Sequence, residues 1–243
     1  MHRNTIAFVI VAAIGGFIAG FWLANSINRS AVTVSGPQTL ATSANSVPTA
    51  GAAEPDLTDA EIRSKIAEAD QNPKNLAFQK DLGISLYRYA AMKQNAGLLG
   101  DAVRILERAN SINEKDFDIL VALGNAHFDI GFYKKDAMSF QTAREIYAKS
   151  LSIKPGDPDV MTDLGLTYFL QEPPALERAV VELQKVSDAN PRHERSLQFL
   201  VQTYLKQNNL SDAEKAFTKL KSINPNNSAI PELTSLITTQ TAR

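Results

Sequence analysis

Three glycines constrain this chain more than any of its other residues. The stretches KDLGISLY (80–87), VALGNAHF (121–128) and TDLGLTYF (162–169) each set a glycine after a leucine inside an apolar, helix-forming run, and Gly83, Gly124 and Gly165 stand 41 residues apart. A glycine inside a helix costs about 1 kcal/mol relative to alanine, so three at one register mark a place where a side chain does not fit. A fixed period of ~20–50 residues signals a repeat architecture, in which each unit buries its apolar face only by stacking on the next.

From residue 76 the chain divides into four contiguous units, 76–116, 117–157, 158–193 and 194–227. The last carries Leu197, Leu200, Val201, Tyr204, Ala213, Phe217, Leu220 and Pro225 at the spacing of a helix-turn-helix unit of ~34 residues, and it resembles the tetratricopeptide repeat, or TPR. The third unit matches through Leu164, Gly165, Tyr168, Ala179, Leu183 and Pro191, with two extra residues around Gln171-Glu172-Pro173-Pro174. The resemblance implies an all-α, right-handed solenoid of about four repeats plus flanking capping helices. It also implies that the two helices of a unit cross closely, with Gly83, Gly124 and Gly165 receiving Ala102, Ala143 and Ala179 of the second helix. Ala213 holds that place in the last unit, where Val201 replaces the glycine.

Units one and two exceed the ~34-residue length by about seven residues, or two turns at ~3.6 residues per turn, which an extended helix absorbs while nearly keeping its buried face in phase. The expected extension is of the first helix in unit one, through YRYAAMKQNAG, and of the second helix in unit two, where Gly131 is read as the end of the first.

Flanking segments complete the layout. Residues 56–75 read as an N-terminal amphipathic helix, opened by the capping box Thr58/Glu61 and a Leu57–Ile62 staple and ended before Asn72-Pro73. Residues 228–243 read as a C-terminal capping helix and tail, with Leu233, Leu236 and Ile237 at helical spacing.

Ahead of these lies an N-terminal transmembrane anchor, residues 1–27. Residues 4–27 carry no charge, and the apolar core Ile6–Leu23 approaches the ~20 residues that a helix needs to span a bilayer. His2 and Arg3 precede it, which favours a cytoplasmic N-terminus and a single-pass protein of the cytoplasmic membrane with a periplasmic or other extracytoplasmic C-terminal domain. A cleaved signal peptide, cut after small residues near Ala24 and Ser26, is the alternative. Ala12, Gly16, Gly20 and Ala24 fall on one face of this helix, a stripe suited to pairing with another membrane helix or to self-association, although small residues are also common in membrane helices generally. Residues 28–55, rich in Ser, Ala, Thr, Gly and Pro, read as a flexible linker.

Composition limits the chemistry. A net charge of −1 gives no reason to expect nucleic acid as a partner. With no cysteine, and with His2, His127 and His193 far apart, thiolate or histidine metal sites are not expected, and no cofactor is implied. The chain has no nucleophile elbow and no glycine-rich phosphate loop, so it does not read as an enzyme.

Function should then lie in binding a protein or peptide. In the TPR family the concave groove is lined by set positions of the first helices, which here carry Ile84, Tyr87, Val121, Asn125, Phe128, Leu166, Phe169, Leu170, Gln202 and Leu205. These residues would accept an extended peptide or an amphipathic helix, or alternatively pack against the next repeat or the capping helix. The Lys and Asn that clamp acidic tails in some TPR domains are split here between Lys80 and Asn125 of different repeats, which argues against that mode. The whole layout is similar to the membrane-tethered bacterial TPR proteins of cytochrome c biogenesis, a resemblance that implies capture of apocytochrome or assembly factors. A general envelope chaperone or scaffold, and a regulatory subunit that tethers an enzyme at the membrane, are the alternatives.

Overall fold

The computed structural model describes residues 58–242. The expected anchor (1–27), the linker (28–55) and Leu57 of the staple lie outside the described residues, and so do Ala12, Gly16, Gly20 and Ala24. Among the described residues no helix is long and apolar enough to cross a membrane.

The described chain is all-helical: α1 (Asp59–Gln71), α2 (Leu76–Met92), α3 (Ala96–Ile112), α4 (Phe117–Lys134), α5 (Ala137–Ile153), α6 (Pro158–Leu170), α7 (Leu176–Ala189), α8 (Glu194–Lys206), α9 (Leu210–Ile223) and α10 (Ile230–Thr241). Most starts are fixed by a side chain that accepts hydrogen bonds from the free amides of the first turn. At α1 the capping box is complete: Glu61 N donates to Thr58 Oγ1 at 3.2 Å and Thr58 N to Glu61 Oε2 at 2.8 Å. Asn75, Asn95, Asp116, Asp136, Asp157 and Asn209 do the same work at α2 to α6 and α9. Pro158, whose missing amide is no loss in a first turn, opens α6.

Helices α2/α3, α4/α5, α6/α7 and α8/α9 pack as pairs, each pair packs on the next, and α10 lies against α8 and α9. The interior holds two clusters of apolar side chains, one with Leu86, Leu99, Ile105 and Leu106 in the first half and one with Phe140, Tyr147, Leu183, Leu200 and Leu220 in the second. Leu233 of α10 is fully buried in the second cluster.

The seven extra residues are not placed as the sequence suggested. Helices α8 and α9 have 13 and 14 residues, whereas α2 and α3 have 17 each and α4 and α5 have 18 and 17. Both helices of each long unit therefore gain about one turn. An antiparallel pair buries the added apolar residues only where the two helices run alongside each other; two turns on one helix would project unpaired. Ala90 and Ala91 at the end of α2 and Leu99 at the start of α3 are buried together in this added layer. In unit three the two extra residues fall between α6 and α7, which keep the short lengths of 13 and 14.

Gly131 does not end the first helix of unit two. It lies inside α4, facing Phe140 of α5, with a Cβ on it placed 3.0 Å from the ring carbon Cγ. The stop comes four residues later. Lys135 adopts a left-handed conformation (φ 53°), and Asp136 N donates to Gly131 O at 3.0 Å before Asp136 caps α5. The same device recurs with Gln94 before Asn95 and with Asn208 before Asn209, whose amides reach back to Ala90 O and Tyr204 O, both at 2.9 Å.

Candidate functional site

The first helices of the four pairs stand side by side, α2 against α4, α4 against α6 and α6 against α8. The residues expected to line a groove all lie on this row, but they do not form an open apolar stripe. Ile84, Val121 and Leu170 are partly exposed. Tyr87, Asn125, Phe128, Leu166, Phe169, Gln202 and Leu205 are buried, none more than 8% exposed.

Several of these residues have defined structural partners. Phe128 meets Phe140 edge to face, with ring centroids 5.5 Å apart. Phe169 packs in the same way on Phe199 of the next repeat at 6.2 Å, and the Lys206 ammonium stands 4.7 Å from its centroid. Asn125 Oδ1 accepts from the Tyr147 hydroxyl at 2.8 Å in the interior of unit two. The packing role that the sequence left open therefore holds for Phe128, Phe169 and Asn125. Phe128 and Phe140 meet because α4 runs on past Phe128 to Lys134 and α5, which starts at Ala137, packs back along it.

The glycine positions are built differently from the expectation too. Ala102, Ala143, Ala179 and Ala213 are all fully buried. Yet a Cβ on Gly83 would stand 2.8 Å from Leu106 Cγ, one on Gly124 2.7 Å from Tyr147 Cε1, and one on Gly165 2.9 Å from Leu183 Cγ. The side chain seated against each glycine thus belongs to a large residue one turn beyond the alanine. Because helical residues four apart share a face, the alanine and the large residue present one surface, and the larger of the two reaches the glycine.

Charged residues at the starts of the first helices stitch successive repeats together, a role the sequence reading did not assign. Lys80 Nζ is 2.8 Å from Asp116 Oδ2 and 3.0 Å from Asp118 Oδ2. Burial works against the Lys80 ammonium, but its hydrogen bonds to Asp116 and then Asp118 outweigh that and raise its pKa. Burial likewise disfavours the Asp116 carboxylate, yet Lys80 and the amides of Ile119 and Asp118 hold it below the usual carboxylate range. At the next-but-one junction Arg195 donates to Asp163, both buried, and His193 Nε2 lies 3.4 Å from Asp159. Glu194 Oε2 accepts from Asn224 and Asn227 at 2.9 and 2.7 Å. The separations of 36, 32 and 33 residues between Lys80 and Asp116, Arg195 and Asp163, and Asn227 and Glu194, close to one repeat, are the signal by which such pairs could be found.

The tetratricopeptide-repeat family model matches residues 175–237, from the start of α7 through most of α10. The fold is that of a tetratricopeptide-repeat protein. A solved MamA structure matches 70% of this chain and 84% of its own at 20% identity, with a TM-score of 0.55. A thermophilic TPR protein of Thermus thermophilus matches 76% of this chain and 91% of its own at 15% identity, with a TM-score of 0.53. A TPR protein of Parabacteroides merdae covers 75% of this chain and 66% of its own at 18% identity, with a TM-score of 0.57. No curated protein matches the chain. The TPR architecture itself indicates a protein-interaction scaffold, of a kind that is generally non-catalytic.

Proposed function

We propose that this chain is a non-catalytic scaffold displayed on the outer face of the cytoplasmic membrane, held there by residues 4–27, and that it binds an apolar peptide or helix of another protein. The observation that carries this reading is the row formed by α2, α4, α6 and α8, a continuous multi-helix face in which Ile84, Val121 and Leu170 keep apolar surface accessible. Such a face suits an extended or helical ligand better than a compact small molecule. The uncharged N-terminal segment and the Ser/Ala/Thr-rich stretch after it supply an anchor and a tether. The client is an apocytochrome or an assembly factor of cytochrome c biogenesis.

Co-purification of the full chain from detergent, followed by mass spectrometry, tests this. Apocytochromes or haem-lyase components are the expected partners. Translocon components or secreted clients would replace the reading with a general envelope chaperone, and one enzyme at fixed stoichiometry would replace it with a regulatory subunit. A reporter active only outside the cytoplasm, fused after Arg243, should be active; an inactive reporter beside an active cytoplasmic one would overturn the orientation.

A further inference from the structure

Tyr168, in the last turn of α6, has guanidinium groups from two other helices against its ring. Arg144 Cζ of α5 lies 4.6 Å from the ring centroid and Arg178 Cζ of α7 lies 5.7 Å from it, so the two cations are at most about 10 Å apart. Arg104, Arg108 and Arg195 also bridge helices, and each does so onto an aspartate. Arg144 and Arg178 do not. Arg144 donates to the neutral Gln171 Oε1 at 3.1 Å, and among the described residues neither guanidinium has a carboxylate within ion-pair distance.

Three carboxylates close in sequence to these groups are engaged elsewhere. Glu145 accepts from Gln141 at 3.2 Å, Glu172 pairs with Lys135 at 3.2 Å and Glu182 with Lys185 at 2.9 Å. Burial pushes the Arg144 pKa down, and although Tyr168 and Glu145 favour its charge, Arg178 opposes it. The face of a tyrosine ring offsets part of the cost of holding a cation there, but it takes up none of the N–H groups, of which Arg144 spends one on Gln171. Two like charges share one aromatic support, and the Tyr168 hydroxyl makes no hydrogen bond to another described residue.

A planar guanidinium matches a carboxylate through two parallel N–H···O bonds, and a phenol hydroxyl can donate a third. We infer that Arg144, Tyr168 and Arg178 form a receptor for a carboxylate carried by an acidic segment of the protein partner. This rests on the scaffold reading and adds a polar contact at the junction of α5, α6 and α7 to the apolar row. A net charge of −1 gives the chain no long-range field for a nucleic acid, so the site acts through local geometry on one or two acidic side chains.

The test uses the full chain in detergent and a fluorescein-labelled peptide of ten glutamates, read by anisotropy, with a ten-glutamine peptide as control and inorganic phosphate as competitor. The glutamate peptide should bind, the glutamine peptide should not, and added salt should weaken the complex. Arg144→Gln or Arg178→Gln should each weaken binding by about tenfold, with Arg→Lys at both positions falling between. Circular dichroism checks that each variant is folded, and the exposed Arg178 alone carries the test if Arg144→Gln is unstable. Absence of peptide binding by the folded wild type, unchanged binding in R178Q, or phosphate binding without peptide binding would overturn the site. A protein that captures its partner from detergent but ignores the glutamate peptide removes only this inference. One that binds the peptide but co-purifies with nothing keeps the site and removes the scaffold reading.

Discussion

The ring of Tyr147 occupies the space that a side chain at Gly124 would need: a Cβ there would stand 2.7 Å from Cε1 and 2.8 Å from Cδ1. The same tyrosine is fully buried and spends its hydroxyl on Asn125, so it has little freedom to withdraw. Gly124→Ala should therefore destabilise the domain by about 1–3 kcal/mol, overpacking outweighing the gain in helix propensity. Gly100, in the exposed face of α3 with nothing near its Cβ position, is the control. Gly100→Ala should stabilise by about 0.5–1 kcal/mol. Urea unfolding of both variants checks the opposite signs.

Phe128 and Phe169 are each 1% exposed and packed edge to face on Phe140 and Phe199. Truncating either to alanine should cost about 3–5 kcal/mol of stability. A variant that unfolds at the wild-type urea midpoint would return these rings to the partner-binding surface.

Asp116 both caps α4 and receives Lys80 from the preceding repeat. Asp116→Ala should cost about 1–2 kcal/mol through the lost cap alone. The neighbouring Asp118, whose side chain is 67% exposed, contributes only a surface ion pair, and Asp118→Ala should cost about 0–1 kcal/mol. Thermal melts of the two variants side by side make the comparison.

Lys135 terminates α4 in the left-handed conformation at φ 53°, and its ammonium makes only an exposed pair with Glu172. Glycine tolerates that conformation without a Cβ clash, so Lys135→Gly should stabilise by about 1 kcal/mol, measured as a higher urea midpoint with an unchanged slope.

Burial lowers the pKa of His127, and the more weakly acting Glu107 charge opposes this. With a folded value below the unfolded one, the unfolded chain takes up the proton first. The stability associated with a neutral His127 is fully present above the unfolded value of about 6.5 and declines as the pH falls through it. The difference in stability between wild type and His127→Phe should therefore shift against the wild type between about pH 7.5 and about pH 5.5. A constant difference would show that the imidazole is as protonatable folded as unfolded.

The unit starts at residues 76, 117, 158 and 194 coincide with the starts of α2, α4, α6 and α8, because each is marked by local chemistry: a polar cap followed by an apolar period. The distribution of the seven extra residues was not legible. Periodicity records which face of a helix is buried, and that face returns after two turns whichever helix holds them. What decides is the length match between partners, a property of the pair. Gly131 misled for a related reason: a glycine near a plausible helix end reads as a stop, whereas its function is to admit the Phe140 ring. The Lys135-Asp136 step, a residue able to turn left followed by a capping acid, was the better local signal. Phe128 was read from its repeat position as either groove or packing, and that position alone does not reveal the Phe140 ring set edge to face against it.

The uneven helix lengths also give the stack a direction. A turn of helix adds ~5 Å, and the helices of the first two pairs, at 17 or 18 residues, are about one turn longer than those of the last two, at 13 or 14. A long ligand laid along the row runs from the longer pairs to the shorter ones or the reverse, according to which way round it lies. The two orientations are inequivalent before any side chain is compared, and a partner matched in shape to one of them is set in polarity along the scaffold.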